Sequence, residues 1–390
     1  MAFKSSLCTK VLVLVALLVC INVATAVSTS KTVSAQPLEL NDAAATQFLR
    51  SEERKLAVTV PGLEQAVTSK SWLSKLASKI KSMFSGKKTP ADMFTKMKLD
   101  KEGGLLFYGS KFTKWTDYVR KNAKGDADLA IFSTLATHYS DDALAKMLHS
   151  AKKVGSTKEL ATKLETMQTT NWVYQKASPS KVFKTLELDQ AGAKVFKNPQ
   201  FSRWTDYVTK TNPKNPDVAI YIGLGTHYSD EALAKMFTAA KKVESSKPLA
   251  TKLEGIQLQN WANADDSAQK VFKSLKLDKT GDKLFESPVV GTWASYVTKT
   301  QKDPDAVMVA LLKESYGDVA LAKLIASASK ADDTEKLITG LRTSQFQSWK
   351  DLGRTPEHIN TLLKLNANSD DLTKSIMKQY VKFYGKVKVD

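Results

Sequence analysis

Few side chains in this sequence are equipped for chemistry, and their spacing limits what they can do. There are four histidines, His138, His149, His227 and His358, and two cysteines, Cys8 and Cys20, both close to the N-terminus. A general acid or base must reach a second reacting group across a hydrogen bond, and a zinc site needs several ligands converging on one point. No His-x-x-x-His pair and no nucleophile elbow is present. The paired acids Asp141-Asp142 and Asp230-Glu231 could suggest acid-base work, but each pair follows a serine, Ser140 or Ser229, at the start of a helical pattern. Carboxylates in a first helical turn complement the helix dipole, so capping explains them. Gly223-Leu224-Gly225 has the glycine spacing of a phosphate loop, yet neither a strand before it nor a Gly-Lys-Thr continuation after it. The expectation is no catalytic residue, no metal, no cofactor, and a chain that is not an enzyme.

These residues sit inside a longer pattern. Phe112, Trp115 and Tyr118 form FTKWTDY, and Tyr139 then opens YSDDALAKM. The order returns 89 residues later as FSRWTDY with Trp204 and YSDEALAKM from Tyr228, and again as TWASY with Trp293 and YGDVALAKL from Tyr316. Phe94, Phe183 and Phe272 keep the spacing of 89, while Trp172, Trp261 and Trp349 follow at 89 and 88. A fixed period of this length is the signature of one supersecondary unit copied and stacked, with neighbours burying a shared core. Past Trp349 the same register puts Leu365, Val381 and Tyr384 in the places of Leu277, Trp293 and Tyr296, a partial last copy.

The unit is written in helical chemistry. Leu160, Leu164, Met167 and Trp172 form one apolar stripe at helical spacing, the segment from Leu249 through Leu253 to Trp261 is its copy, and Phe201, Trp204 and Val208 form another. Thr89-Pro90, Ser178-Pro179, Asn198-Pro199, Asn215-Pro216, Ser287-Pro288, Asp303-Pro304 and Thr355-Pro356 each pair an N-cap acceptor with a proline preset for the first helical position. The second copy reads as five helices near 157–176, 179–188, 199–210, 216–227 and 230–242. Trp204 and Tyr228 are expected to meet inside the unit as core, and His138 and His227, which correspond under the repeat, to be hydrogen-bonded structural residues. A basic amphipathic helix over Ser69 to Phe84, with Leu76, Ile80 and Phe84 on one face, is expected to cap the first repeat.

The N-terminus has a short basic region (Lys4, Lys10), an apolar run from Val11 to Val23 and an Ala24-Thr25-Ala26 cleavage site, which reads as a secretory signal peptide over 1–26. Both cysteines fall within it, so the mature chain is expected to lack disulfides, thiol catalysis and cysteine-ligated zinc. Removing Lys4 and Lys10 takes the formal charge from +18 to +16. Such a basic surface suits nucleic acid, anionic lipid or an acidic protein face, or is a lysine-rich solvated helix surface. Residues 27–59 are polar and small and read as disordered. Within them lies Gln47-Phe48-Leu49-Arg50-Ser51-Glu52-Glu53-Arg54.

That segment resembles the RXLR-EER host-targeting region of secreted oomycete effectors, with Gln47 standing where the first arginine is usual. The Trp and Tyr motifs resemble the WY fold of Phytophthora RXLR effectors, and the Leu160-to-Trp172 and Leu249-to-Trp261 segments resemble the L motif of tandem WY-LWY arrays. The resemblance covers essentially the whole chain: signal 1–26, targeting segment 27–59, a WY unit over 60–153, LWY units over 154–242 and 243–330, and a truncated L-containing unit over 331–390. It implies an all-α, elongated solenoid of tandem helical-bundle repeats, with a core from Trp115, Tyr139, Trp204, Tyr228, Trp293 and Tyr316, joined by Leu160, Leu164, Trp172, Leu249, Leu253, Trp261 and Trp349. It also implies a secreted virulence effector acting in the host plant cell, in cytoplasm or nucleus, by binding a host protein to suppress immunity. Tandem arrays of this kind include Phytophthora suppressors of RNA silencing, some of which recruit host protein phosphatase 2A by mimicking a regulatory subunit, so the scaffold subunit of that phosphatase is the implied partner. Direct binding of host nucleic acid, or an adaptor role for a different host protein, is the alternative.

Overall fold

The computed structural model describes residues 71–328 and 332–386, so the signal peptide and the Gln47, Phe48, Leu49, Arg50, Glu52, Glu53 and Arg54 motif lie outside the described residues. Every described element is helical. The chain divides into two compact units, the first ending at Gly223 and the second beginning at Leu224.

In the first unit α1 (Ser71–Met83) leads to α2 (Pro90–Lys96), two 3-10 turns, α3 (Ser110–Asn122), α4 (Ala127–His138) and α5 (Asp141–Ala151). The long helix α6 (Lys158–Tyr174) follows, then α7 (Pro179–Thr185), two more 3-10 turns and α8 (Pro199–Thr211); α9 (Pro216–Gly225) carries the division. Leu76, Ile80, Met83 and Phe84 enter one core with Phe94, Phe112 and Trp115, so α1 does cap the first repeat. The second unit continues with α10 (Asp230–Lys241), the long α11 (Lys247–Asn263), α12 (Ala268–Ser274), two 3-10 turns, α13 (Val290–Thr300), α14 (Pro304–Tyr316) and α15 (Asp318–Ser327). It closes with α16 (Asp332–Asp351), α17 (Pro356–Leu362) and α18 (Asp371–Lys386).

Six of the predicted caps are formed and two are not. Thr89, Ser178, Asn198, Asp303, Thr355 and Ser229 each accept a backbone N–H of the first turn. Ser287-Pro288 does not start a helix: α13 begins at Val290 behind Val289, with no side-chain cap. Ser140 stands at the N-cap of α5 without a side-chain cap bond; its hydroxyl instead bonds Asp142 and holds that carboxyl below its ordinary value. The sharp turn after α2 recurs in every copy. Lys98, Glu187, Lys276 and Lys364 all adopt left-handed backbone, with φ of 57°, 55°, 55° and 52°. Non-glycine residues rarely do so, and four at one register make this a built feature.

The fourth copy departs from the fixed period. Tyr380 is fully buried and stands edge-on to Trp349 at 5.4 Å, as Tyr296 stands to Trp261 at 5.7 Å, whereas Val381 is exposed. The separation from tryptophan to tyrosine is 35 residues (296 minus 261) in the complete copy and 31 (380 minus 349) in the last. Both 3-10 turns found between α12 and α13 are missing between α17 and α18, and four residues go with them. Tyr380, and not Tyr384, therefore takes the place of Tyr296, and Met377, three residues before it, takes the place that the period gave to Val381.

Candidate functional site

Each predicted anchor has a fixed job. Trp115, Trp204 and Trp293 are fully buried, and each donates its indole N–H at 2.9 Å to a carbonyl 25 residues earlier, that of Pro90, Pro179 or Ala268. Phe94, Phe183 and Phe272 meet these indoles edge-on, each at 4.9 Å. Tyr139, Tyr228 and Tyr316 are half-buried. In the first repeat Trp115 and Tyr139 are bridged by Phe94, whose ring centroid lies 4.9 Å from Trp115 and 6.4 Å from Tyr139, and the Tyr139 hydroxyl donates to the Leu99 carbonyl. His138 stacks on Phe94 at 4.8 Å. A polar edge of the aromatic cluster is what that histidine supplies.

The first glycine of the pair in α9 has a packing reason. A Cβ on Gly223 would lie 2.6 Å from the Trp204 ring, so glycine is what lets the indole approach the backbone there.

The long helices α6, α11 and α16 build the junctions. Leu160, Leu164, Leu253, Trp172, Trp261 and Trp349 are buried along them and Leu249 is half-buried. One polar contact is common to all three: Gln168, Gln257 and Gln345 each donate an amide N–H, at 2.7, 3.0 and 2.9 Å, to the backbone carbonyl of Asp141, Asp230 or Asp318. Those aspartates open α5, α10 and α15. Asp230 and Asp318 also accept the indole N–H of Trp261 and Trp349 at 3.2 Å, and Glu231 is held below its ordinary value by Lys235 and Lys276. Asp141, Asp230, Asp318 and Glu231 are thus spent on joining one helix to the next, and Asp142 on the N-cap serine of its own helix.

Arg203 is the residue that sequence reasoning missed. It projects from α8 against α6 and is 9 % exposed. Its Nε donates to Thr169 Oγ1 at 3.2 Å and its Nη2 to the Glu165 carbonyl at 3.1 Å and Gln168 Oε1 at 2.8 Å. The guanidinium lies 4.5 Å over the Trp172 ring, and Nη1 faces Glu165 Oε1 at 3.8 Å. Glu165 in turn accepts from Lys152 at 2.5 Å. Burial pushes Arg203 down to about 10, against the opposing pull of Glu165 and Asp141. The 89-residue offset carried a signal, since it aligns Lys114, Arg203 and Thr292, a position that changes type directly before an unchanged tryptophan.

Beside Arg203 an open groove of about 390 Å³ is lined by His149, Lys152, Lys153, Glu165 and Lys210, among others. Burial, reinforced by Lys153, keeps the His149 imidazole below its ordinary value. Among the described residues no group of three or more His, Cys, Asp or Glu side chains is placed to hold a metal ion, and no helix is long and apolar enough to cross a membrane. The arrangement suits rigid presentation of a surface.

Comparison with known proteins bears on what that surface is for. Residues 167–208 match the family described as "Effector PexRD54, WY-domain". The chain is 35 % identical over 338 residues to an RxLR effector protein PSR2 of Phytophthora infestans, and 33 % identical over 293 residues to one of Phytophthora sojae. These alignments cover 85 % and 73 % of this chain and 44 % of each relative, so the chain spans less than half the length of those relatives. The crystal structure of PcRxLR12 is similar over 88 % of this chain and 90 % of that one, with a TM-score of 0.61 and 30 % identity.

Proposed function

The chain belongs to the WY-repeat RxLR effectors of Phytophthora, and from that premise we propose that it is a secreted virulence effector that enters host plant cells and works by binding a host protein. The observation that carries this reading is how the polar side chains inside the repeats are used. Gln168, Gln257, Asp230 and Asp318 join helix to helix, and Arg203 locks one junction, so the repeats are stiffened. A pre-ordered surface loses little freedom on binding, which favours protein recognition. Catalysis then belongs to the partner.

The partner that the resemblance implies is the scaffold subunit of host protein phosphatase 2A, recruited by mimicry of a regulatory subunit, with suppression of RNA silencing as the outcome in host cytoplasm or nucleus. The module would be two adjacent units within 60–330, among the boundaries 60–153, 154–242, 243–330 and 331–390. A pull-down with purified scaffold subunit tests it: wild type binds at micromolar concentration and a variant lacking 154–242 does not. Failure of the wild type sinks the phosphatase partner. The formal charge of +18 supports a second reading, direct binding of host nucleic acid. In that case affinity for RNA falls steeply with salt, whereas a specific protein complex tolerates moderate salt.

A further inference from the structure

The 3-10 turn that leads into α3 differs from its copies along one edge. Gly103–Tyr108 continues from Glu102, and in a 3-10 turn residues three apart lie one above another, so Glu102, Leu105 and Tyr108 share an edge. Leu105 is 70 % exposed and Tyr108 53 %. Leu106 and Phe107 turn the other way into the core, and Phe107 packs on Phe112 at 4.6 Å, so the turn is pinned from behind. The same edge carries Lys194 and Lys197 in the second copy and Lys283 and Glu286 in the third, all exposed. It faces outward even in the middle copy, which has repeats before and after it.

What flanks the edge changes with it. Lys98, Lys101, Lys111 and Lys114 stand on either side of it along the chain, and all four are exposed. Their counterparts are Glu187, Gln190, Gln200 and the buried Arg203 in the second copy, and Lys276, Lys279, Val289 and Thr292 in the third. The full set of lysines thus comes only with the apolar edge. Lys111 also meets Glu102 at 2.9 Å and neutralises the one carboxylate on that edge. A Cβ on Gly104 would meet nothing within 4 Å, so the crest stands clear. Two side chains on a crest offer a partner helix no groove to lie in. They suit a soft surface, where leucine enters the acyl boundary, tyrosine keeps its hydroxyl at headgroup depth and lysine stems reach anionic headgroups.

We infer that Leu105 and Tyr108, with Lys98, Lys101, Lys111 and Lys114 beside them, insert at the surface of an anionic membrane, which makes the first repeat a peripheral lipid anchor. This goes beyond the host-protein reading and does not depend on it. The test is co-sedimentation with vesicles of phosphatidylcholine containing about 30 % phosphatidylserine, in about 0.15 M salt, where distant charges are screened. The chain is used from residue 27, so that the apolar run from Val11 to Val23 cannot itself enter lipid. The wild type is expected to sediment with the vesicles. Leu105→Lys with Tyr108→Lys reproduces the edge of the second copy, so the fold is kept, and it adds two positive charges. This double variant is expected to bind about fivefold weaker or worse, whereas attraction by charge alone makes it bind tighter. Tyr108→Trp is expected to lose fluorescence to brominated acyl chains beyond the wild-type background. Equal or tighter binding by the double variant, no added quenching, or no binding of the wild type overturns the inference. In the last case the crest belongs to a groove on a protein or to another segment of this chain. None of these outcomes touches the scaffold pull-down.

Discussion

The junction of α6 with α8 in the first unit and that of α11 with α13 in the second are built on one plan with one exchange. Lys152, Glu165 and Gln168 recur as Lys241, Glu254 and Gln257, each 89 residues on, and both lysine–glutamate pairs form, at 2.5 and 2.6 Å. The helix facing them carries Arg203 in one case and Thr292 in the other. Arg203 spreads over Trp172 and takes Gln168 Oε1, whereas Thr292 makes a single hydroxyl bond to Glu254 at 3.1 Å. Without an arginine over its ring, Trp261 sits closer to its tyrosine, 5.7 Å against 6.3 Å for Trp172. A buried arginine and a buried threonine therefore close the same backbone gap, one with a charge network and one with closer aromatic packing.

What the two junctions share is tested by the largest expected effect. Trp204→Ala and Trp293→Ala should each lower stability by about 3–5 kcal/mol, because each empties a fully buried indole site. Urea unfolding followed by circular dichroism measures it, and a loss below about 1 kcal/mol in either unit would break the claim of a common core. What the junctions do not share appears in their glutamates. Glu165→Ala leaves Arg203 as a buried charge without its carboxylate and should cost about 3 kcal/mol. Glu254→Ala removes partners only from a more exposed lysine and a hydroxyl and should cost about 1 kcal/mol. Equal costs in thermal denaturation would show that Arg203 is not the point of difference.

A smaller effect is expected at Gly223. Alanine there drives a methyl against Trp204 and should cost about 1–3 kcal/mol by overpacking, although the equivalent positions, Thr134 and Leu311, carry side chains. Full stability of Gly223→Ala would mean that α9 yields freely. The smallest effect is a titration. Burial raises Tyr207 to about 12, and burial with Asp266 and Asp265 raises Tyr296. A phenol whose folded value is raised contributes stability that is complete below the ordinary tyrosine value, about 10, and lost as pH climbs through the folded value. Ultraviolet difference titration should therefore show both phenols ionising late, Tyr207 near pH 12. Ionisation of Tyr207 near 10 would mean that its phenol is not buried in solution.

The sequence by itself determined the helical class, the repeat and most helix starts, because these follow from local rules. Apolar spacing of three and four residues selects helix, and an acceptor followed by proline marks a first turn, as at Thr89, Ser178 and Thr355. A fixed period then carries every buried tryptophan with it. The period failed where residues were lost, and only the fold revealed that Tyr380 had replaced Tyr384, since packing answers to position in space and not to a count along the chain. The same holds for Arg203. Its place beside Glu165 and Trp172 joins residues 38 and 31 positions apart (203 minus 165 and 203 minus 172), and a basic surface full of lysines offers no local sign that one arginine turns inward. Burial of a charge is decided by which helices meet, so the tertiary structure alone could assign it.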